Sequence, residues 1–488
     1  MSMSHDSQSL ARRAALAVLL TLGFYLLAFA VVALLLFIPY AEWNYAGRIH
    51  LKIALCCVFT AGLILWSIIP RPDRFTAPGP RLTPEEQPEL FGVLRGVARE
   101  MGQEMPAEVY AIGEMNAWVT DRGGIMGIGG RRVMGLGLPL LQLLSVSEAR
   151  GVIAHEFGHF YGGDTKLGPW IYKTRSAIIR TLVSLAEHGS VMQKPFFWYG
   201  NVFMRITQTI SRGQEFTADR LAAGIVGNRA MIDGLLKIHG AGAMFDTFWH
   251  NEYAPALGQG YRPPLANGFA QFLNVPRISE AVNDIVSEEM ESGETALYDS
   301  HPSLRDRVAA LRKVVAERQQ DDTPAISLLR NLENLEAAFL AVIGDPATVR
   351  DMKPIGWDQV GGKVWMPLWR KHVETHRNVL QGLRLNDLPG ILFDPEAKQR
   401  LLRGNTEIDD EGRDHFLEGL LGAALAVSLD REGWQLDATP GNAVSLSRDG
   451  RQVLPYVAVR QLIEGDSSGE SWMDLCGALK GDVVLVAA

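Results

Sequence analysis

The sequence of 488 residues has little cysteine and no strong excess of either charge. Two of its three cysteines, Cys56 and Cys57, are neighbours inside an apolar segment, and Cys476 is remote, so no disulfide framework is expected. The net charge of −8 lacks the basic excess of proteins that coat nucleic acid, and we expect no nucleic-acid partner. The 47% of hydrophobic residues and the length allow two or three folding units with sizeable cores.

Long uncharged runs are concentrated near the N-terminus. Residues 14–38 exceed the roughly 20 residues that a helix needs to cross a bilayer core, and the run is too long for a cleaved signal peptide. Residues 53–69 form a second run, which Leu51 and the aliphatic stem of Lys52 extend. Because only a short loop separates the two runs, we predict a transmembrane helical hairpin with spans at about 14–38 and 51–69.

Charged residues around the hairpin indicate its orientation. Basic residues outside the spans are Arg12, Arg13, Arg71, Arg74 and Arg81, whereas the loop between the spans carries Arg48 and Lys52 opposed by Glu42. Since cytoplasmic loops carry the excess of Lys and Arg, both ends of the hairpin are expected on the cytoplasmic side. We therefore predict an integral membrane protein, in a bacterial inner membrane, with the remaining chain in the cytoplasm.

The remaining chain predicts a mainly α-helical protein with a small β-sheet. Predicted segments are a proline-rich linker at 70–88, a helix at 85–101, strands within 107–137 with a hairpin turn at Gly129–Gly130, helices over 145–237, an irregular stretch at 251–300, helices at 301–319 and 325–342, and strands at 434–436, 444–447 and 453–459 with a turn at Asp449–Gly450. We predict three domains: the hairpin at 1–75, a main α+β domain at 76–320 and an accessory α+β domain at 321–488.

The segment His155-Glu156-Phe157-Gly158-His159 has the spacing of a metal site on a helix. At 3.6 residues per turn, the two histidines lie on one face and can bind one ion. Glu156 lies about 100° round the helix, from where it reaches a metal-bound water without being a ligand. The alternative is a helix whose two histidines make ordinary hydrogen bonds.

The predicted boundaries of this helix come from its flanks. Ser145 and Glu148 have the spacing of a capping box at the N-terminus, and Gly162-Gly163 is predicted to end the helix. A catalytic zinc site needs three protein ligands and one open position. The best third ligand is Glu215, with Asp219 one turn further on the same face, where it can orient a ligand histidine. Alone, such a carboxylate pair is typical of a solvated helix face.

A second histidine pair with the same spacing, His372 and His376, is interpreted differently. Glu374 lies about 200° round that helix, on the far side from any ion that the histidines would bind. The surrounding apolar stripe indicates packing rather than a second metal site.

These motifs resemble metallopeptidase family 48, the HtpX and CAAX-prenyl-protease type, over roughly residues 85–315. Besides the His-Glu motif and Glu215-x-x-x-Asp219, the resemblance lies in segments 116–119, 135–138 and 299–308. It implies a zincin-like, gluzincin-like peptidase domain with one catalytic zinc ion. In that family pattern His155, His159 and Glu215 are the metal ligands and Glu156 is the general base.

The resemblance also implies further site residues. Asn116 and Ala117 would hold the substrate backbone along an edge strand. Asp219 would orient a ligand histidine without binding the metal itself. His301 would stabilise the oxyanion, the alternative being that His301-Pro302 begins a helix and Arg307 forms an internal ion pair.

One feature departs from the HtpX pattern, which has further membrane spans between the zinc helix and the third ligand. The corresponding interval here is interrupted by charged residues, so we predict no additional full span. The aromatic segment 195–199 is expected at the bilayer surface.

The sequence therefore predicts a membrane-anchored zinc endopeptidase whose partners are polypeptide substrates and the lipid bilayer, with a possible role in quality control. One alternative is a processing protease for a specific lipid-modified substrate, which the small number of spans disfavours. Another is a zinc-stabilised non-catalytic membrane scaffold that recruits partners through residues 343–488. A transporter or channel would need more spans and intramembrane charges than this chain has.

Overall fold

The architecture was obtained as a computed structural model, which describes residues 3–69, 75–123, 130–160, 168–293, 301–402, 410–465, 472 and 476–477. The chain is mainly helical with small sheets, as the sequence predicts. The helices are α1 (Met3–Ala46), α2 (Leu51–Ile68), α3 (Pro88–Met101), α4 (Leu138–Leu143), α5 (Val146–Gly158), α6 (Gly168–Glu187), α7 (Gln193–Val226), α8 (Asn228–Phe248), α9 (Ala254–Gly258), α10 (Leu265–Leu273), α11 (Pro276–Ser292), α12 (Leu304–Leu311), α13 (Leu332–Ile343), α14 (Pro346–Asp351), α15 (Trp357–Val360), α16 (Met366–Thr375), α17 (Arg377–Leu380), α18 (Leu388–Phe393), α19 (Pro395–Leu401), α20 (Asp410–Arg431) and α21 (Pro455–Glu464).

The strands form three small sheets. They are β1 (Arg81–Leu82), β2 (Glu108–Ile112), β3 (Ala117–Arg122), β4 (Arg131–Gly137), β5 (Tyr261–Arg262), β6 (Lys353–Pro354), β7 (Gln435–Asp437), β8 (Ser445–Arg448) and β9 (Arg451–Val453). The first sheet has the order β1-β2-β4-β3, in which β2 and β4 are parallel and the other pairs are antiparallel. Strand β3 is therefore an edge strand. The predicted turn at Gly129–Gly130 falls largely outside the described residues.

The chain divides into two compact units. The first comprises Met1–Gly242 with Asn283–Ile343, and the second comprises Ala243–Val282 with Gly344–Ala488. The sequence-based boundary at residue 320 falls inside the first unit, because residues 321–343 pack within that unit. The Ala325 amide donates to the Leu144 carbonyl, and the ring of Phe339 occupies the place where Gly113 lacks a side chain.

The predicted membrane hairpin is present as α1 and α2. Within the described residues these are the two helices that are long and apolar enough to cross a bilayer. Large apolar side chains point away from the protein on both helices: Leu19 is 67% exposed, Leu26 is 70% exposed and Trp66 is 67% exposed. A core helix of a water-soluble protein would bury such side chains, whereas lipid covers them at no cost in free energy.

Helix α6 and the first half of α7 pack against this hairpin. The hydroxyl groups of Ser67 and Thr181 lie 2.7 Å apart in the buried interface, and the Thr174 hydroxyl donates to that of Thr21 at 3.2 Å. The Arg180 guanidinium donates to the Ser67 carbonyl at 3.1 Å, near the C-terminal end of α2. Around these polar contacts lies a shared apolar core that includes Phe24, Ile64, Ile178, Phe196 and Phe203. The helices after the His-Glu motif are therefore connected directly to the membrane anchor.

Two sequence-based expectations are wrong, in segments where a proline begins a helix. The stretch 251–300, expected to be irregular, contains α10 and α11, and Pro276 is the first residue of α11. Residues 453–459, expected as a strand, mostly belong to α21, which starts at Pro455. Proline is well suited to the first turn of a helix, where its missing N–H has no partner to lose. The predicted turn at Asp449–Gly450 is confirmed: both residues have positive φ and join β8 to β9.

Candidate metal centre

Helix α5 carries the His-Glu motif and begins as predicted. The Ser145 side chain accepts from the Glu148 amide, and the Glu148 carboxylate accepts from the Ser145 amide, which completes a capping box. The end of the helix differs from the prediction. It ends at Gly158, and His159 is the C-cap residue, whereas Gly162-Gly163 lies outside the described residues. His159 therefore stands at the very end of the helix, with more freedom to approach an ion than a residue in its interior.

Helix α7 brings Glu215 to the two histidines. Its Oε2 atom lies 3.4 Å from His155 Nε2, and its Oε1 atom lies 3.6 Å from His159 Nε2. The approach of the two helices depends on Gly158, because a Cβ atom at this position would lie 2.9 Å from the Ala218 Cα atom. A glycine between the two histidines thus permits the backbone contact that places Glu215.

The separations of these atoms fit the ligands of one metal ion. In a tetrahedral zinc site with ligand distances of about 2.0–2.2 Å, neighbouring ligand atoms are roughly 3.3–3.6 Å apart. The donor types, two imidazoles and one carboxylate, are those of a catalytic zinc site. Oε2 of Glu215 is buried and accepts no regular hydrogen bond from the described residues, although buried oxygens are normally paired. The residues therefore fit a metal ion.

Glu156 is also close to the two histidines but has a different environment. One ligand atom from each of His155, Glu156 and His159 lies within 4.8 Å of the others, so distance alone admits Glu156 as a ligand. Its Oε2 atom, however, accepts a hydrogen bond from the Val119 amide of β3 at 3.3 Å. Burial raises the pKa of Glu156 from its ordinary value to about 7. A carboxyl group with this pKa is suited to exchanging protons near neutral pH.

Asp219 and Arg307 form a buried ion pair behind His155. The guanidinium of Arg307, on α12, donates to both Asp219 oxygens at 2.9 and 2.7 Å. The other side of Asp219 faces His155, with 2.9 Å between Oδ1 and Nδ1. That contact is short but lacks the ideal angle of a hydrogen bond. Since the carboxylate meets the ring nitrogen that faces away from Glu215, it orients the imidazole.

His301 lies beside the third carboxylate. Its Nδ1 atom is 3.1 Å from Glu215 Oε1, and its side chain is 65% exposed. The contact with Glu215 raises the pKa of His301. The helix predicted to start at His301 starts instead at Leu304, with Ser303 as its N-cap. His301 therefore precedes the helix and faces the site, while the predicted ion pair of Arg307 is present.

The ionisation of the metal-free site follows from its carboxylates. Burial lowers the pKa of His155, but the contacts with Asp219 and Glu215 outweigh it and raise the pKa to about 9. His159 lacks a comparable partner, and burial together with the charge on His155 lowers its pKa to about 4. The pKa of Glu215 is lowered, because contacts with His155 and His301 overcome the effect of burial. Without metal, His155 therefore carries a proton at neutral pH, stabilised by the carboxylates of Asp219 and Glu215.

Asn116 and Ala117 stand at the mouth of the site, next to the free edge of β3. The Asn116 carbonyl accepts from the Gly137 amide of β4, whereas the Val119 amide points the other way, to Glu156. Successive residues of a strand face opposite sides, so Ala117 and Val119 present their backbone groups to the site. Asn116 and Ala117 also line a cavity of about 140 Å³ that contains His155, Glu156 and Glu215.

Some of the site could not be anticipated from the sequence. Arg307 was expected in an internal ion pair but was not connected with Asp219, from which it is separated by 88 residues. The helical prediction over 145–237 covers the start of α8, but nothing in the sequence assigned α8 to one wall of the cavity. In the second histidine pair, the rings of His372 and His376 pack against Phe416, and this pair belongs to no metal-ligand group among the described residues.

Comparison with known proteins agrees with this geometry. Residues 84–315 match Peptidase family M48. The chain is 26% identical over 250 residues to the protein named Protease HtpX homolog from Desulfatibacillum aliphaticivorans, a match that covers 47% of this chain and 70% of that relative. No solved structure matches the chain. The matched segment contains both histidines, Glu156, Glu215 and Arg307, and it follows two membrane-spanning helices. Residues 84–315 therefore resemble Peptidase family M48, and together with the two apolar helices they indicate a membrane-associated metalloprotease similar to the HtpX type.

Proposed function

We propose that the protein is a zinc-dependent endopeptidase that cleaves membrane or membrane-proximal polypeptides, including misfolded ones. The observation that carries the proposal is the position of the Glu215 carboxylate, which lies 3.4 and 3.6 Å from the two histidines of the motif. In this proposal His155, His159 and Glu215 hold one zinc ion, which supplies Lewis acidity toward water and the scissile carbonyl.

Glu156 is the general base of the proposed reaction. It takes a proton from the attacking water and later passes it to the leaving amine. Its buried position and a pKa of about 7 support both steps, because the group can exist with or without the proton at neutral pH. The Val119 amide holds one carboxylate oxygen, which leaves the other oxygen available for the proton.

Three further residues act on the groups around the reacting atoms. Asp219, held by Arg307, fixes the ring of His155 in the orientation in which Nε2 faces Glu215. His301 stabilises the oxyanion that forms during the attack, since its raised pKa supplies a charged donor and its exposed side chain can turn toward substrate.

The substrate backbone adds to the free edge of β3. A strand that pairs with this edge forms main-chain hydrogen bonds with Ala117 and with the Val119 carbonyl, since the Val119 amide donates to Glu156, while Asn116 contacts it at the mouth of the site. Main-chain recognition is largely independent of sequence, which suits an enzyme that degrades varied polypeptides. The same mode of binding requires the substrate segment to be extended, and thus unfolded.

The membrane anchor defines where the substrates are found. The distribution of basic residues supports the bacterial inner membrane, with the peptidase residues 76–320 on the cytoplasmic side. Residues 321–488 include a C-terminal accessory part. Reporter fusions placed in the loop at 47–50 and at the C-terminus test this topology: a cytoplasmic signal from the loop would contradict it.

The central experiment compares the wild-type protein with Glu156→Gln. We expect the variant to retain about one zinc ion per chain and to lose about 10²–10⁴-fold in the rate of casein cleavage. Zinc is measured by mass spectrometry and cleavage by fluorescence, both in lipid nanodiscs. A variant that still cleaves at the wild-type rate contradicts the role of Glu156. A wild-type protein with one zinc ion and no cleavage would instead support the scaffold alternative.

Membrane proteomics identifies the natural substrates. Cells that carry Glu156→Gln in place of the wild-type protein should accumulate substrates in complex with the inactive enzyme. Proteins that co-purify with this variant and are shortened in wild-type cells are the direct substrates.

A further inference from the structure

The cavity beside the metal centre has a polar wall and an apolar wall. The polar wall consists of the residues discussed above. The apolar wall, here called the side-chain pocket, consists of Leu140, Val152, Met231, Gly234, Leu235 and Ile238. Its members come from α4, α5 and α8. Leu140, Met231 and Leu235 are at most 7% exposed, so these side chains are largely covered by the protein.

The helical spacing of α8 explains why these residues share one wall. Met231, Leu235 and Ile238 are separated by four and three residues, which places them on one face of the helix, opposite Val152 of α5. Gly234 lies between them and contributes no side chain. A Cβ atom at Gly234 would lie 3.5 Å from Glu148 Cβ, an ordinary contact distance. The backbone thus tolerates a side chain at this position, and its absence leaves the pocket open.

The charged residues near the side-chain pocket are already paired. Glu148 contacts the Lys237 ammonium at 2.7 Å, and His239 lies 2.8 Å from Glu289. Arg307 is bound to Asp219. The carboxylates of Glu156 and Glu215 lie on the polar wall, so a substrate lysine or arginine held against the apolar wall would lose its hydration without a carboxylate partner there, which is unfavourable.

We propose that the side-chain pocket binds one medium-sized apolar side chain of the substrate, such as leucine, methionine or phenylalanine, next to the scissile bond. The proposal rests on the proposed peptidase function and adds the substrate class. The cavity as a whole measures about 140 Å³, and this volume includes the space beside the polar wall. The pocket adjoins His155 and Glu156, so the bound side chain belongs to a residue that flanks the cleaved bond.

The test is a peptide library that varies the residues on both sides of the cleaved bond. The wild-type protein should prefer leucine, methionine or phenylalanine at one of the flanking positions. Gly234→Val narrows the pocket and should shift the preference toward alanine, by about 10-fold or more in kcat/KM, because one methylene changes selectivity by about 10–200-fold. Met231→Ala widens the pocket and should shift the preference toward phenylalanine and tryptophan.

A matched control is Ile232→Ala, which removes an aliphatic side chain from the same helix at a residue outside the pocket lining. Its cleavage profile should equal that of the wild-type protein. Gly234→Ala is the conservative variant, which should show a smaller shift in the same direction even if Gly234→Val does not fold. Equal profiles for the wild-type protein and the folded Gly234 and Met231 variants would overturn the proposal.

Peptide binding separates this proposal from the proposed function. Fluorescent blocked dipeptides that contain leucine or lysine are titrated into Glu156→Gln protein, with and without Gly234→Val. Tighter binding of the leucine peptide, lost in the double variant, supports the pocket even if the wild-type protein cleaves no peptide and the peptidase proposal fails. Equal binding of the two peptides, or no effect of Gly234→Val, overturns the pocket even if the protein is a peptidase.

Discussion

Two histidine pairs in this chain have the same local geometry but different surroundings. The ring centroids of His155 and His159 are 4.8 Å apart, and those of His372 and His376 are 4.7 Å apart. The first pair meets the carboxylates of other helices, whereas the second pair packs on Phe416. The spacing between two histidines is thus a property of the helix alone. A metal site requires a second element, here α7, that delivers a carboxylate.

The largest expected effect comes from removing that carboxylate. Glu215→Ala should lose more than about 100-fold in zinc affinity, since even residues behind the ligands contribute about 10–100-fold. Casein cleavage should disappear with the metal. Zinc affinity is measured by competition with a chelator. His376→Ala serves as the control, and a Glu215→Ala protein that retains wild-type affinity would remove Glu215 from the ligand set.

The proton on His155 should make zinc binding dependent on pH. With a pKa of about 9 in the metal-free protein, His155 is protonated at pH 7, and zinc must displace that proton. The apparent affinity should therefore rise about tenfold per pH unit between pH 7 and 8.5 and level off above about pH 9. Calorimetry in two buffers with different ionisation enthalpies measures the protons released. Fewer than about half a proton released at pH 8 would contradict a raised pKa for His155.

The Asp219–Arg307 ion pair behind His155 should contribute less to zinc affinity than a metal ligand does. Asp219→Asn keeps the shape of the side chain but removes the charge that orients the imidazole. We expect about 10–100-fold weaker zinc binding, with little change in the zinc content at saturation. It should also lower the pKa of His155, which NMR titration of the metal-free protein detects. An unchanged imidazole titration would show that Asp219 acts only on Arg307.

The contact between α5 and α7 should depend on Gly158. Gly158→Ala places a Cβ atom against the Ala218 backbone, which forces the helices apart and costs about 1–3 kcal/mol of unfolding free energy. Zinc affinity should fall in parallel because Glu215 moves with α7. Gly96→Ala on α3 is the control, as its added Cβ atom would meet no other atom within 4 Å. Equal denaturant midpoints for the two variants would contradict this account.

The smallest effect is expected at the second histidine pair. His376→Ala removes a ring contact with Phe416 and should cost about 1 kcal/mol of unfolding free energy, with zinc content and cleavage unchanged. A lower zinc stoichiometry in this variant would show that the second pair binds metal after all, and the comparison above would no longer hold.

Much of the site was predictable because its chemistry is local. The capping box at Ser145, the shared face of His155 and His159, and the membrane hairpin follow from residue spacing within one helix or one run. Glu215 was predicted from a family resemblance, since its distance from the histidines depends on how α5 and α7 pack. The contact of Arg307 with Asp219 joins residues that are far apart in the sequence, and no local pattern indicates it.

The errors concern where elements begin and end. Pro276 and Pro455 begin helices within segments that were expected to be irregular or extended. The end of α5 was predicted at a glycine pair, but the helix stops at Gly158, where the backbone meets α7. Local conformational preferences mark possible boundaries, and tertiary packing selects among them.

Helix α7 joins the membrane anchor to the metal centre without interruption. Tyr199, near its start, donates to the Leu20 carbonyl of α1, and Glu215 follows 16 residues later in the same helix. At 1.5 Å per residue, these two positions are roughly 24 Å apart along the axis. Helix α7 therefore fixes the distance between its contact with α1 and Glu215. Under the proposed peptidase function, the scissile bond must therefore reach Glu215, roughly 24 Å along α7 from the contact with α1.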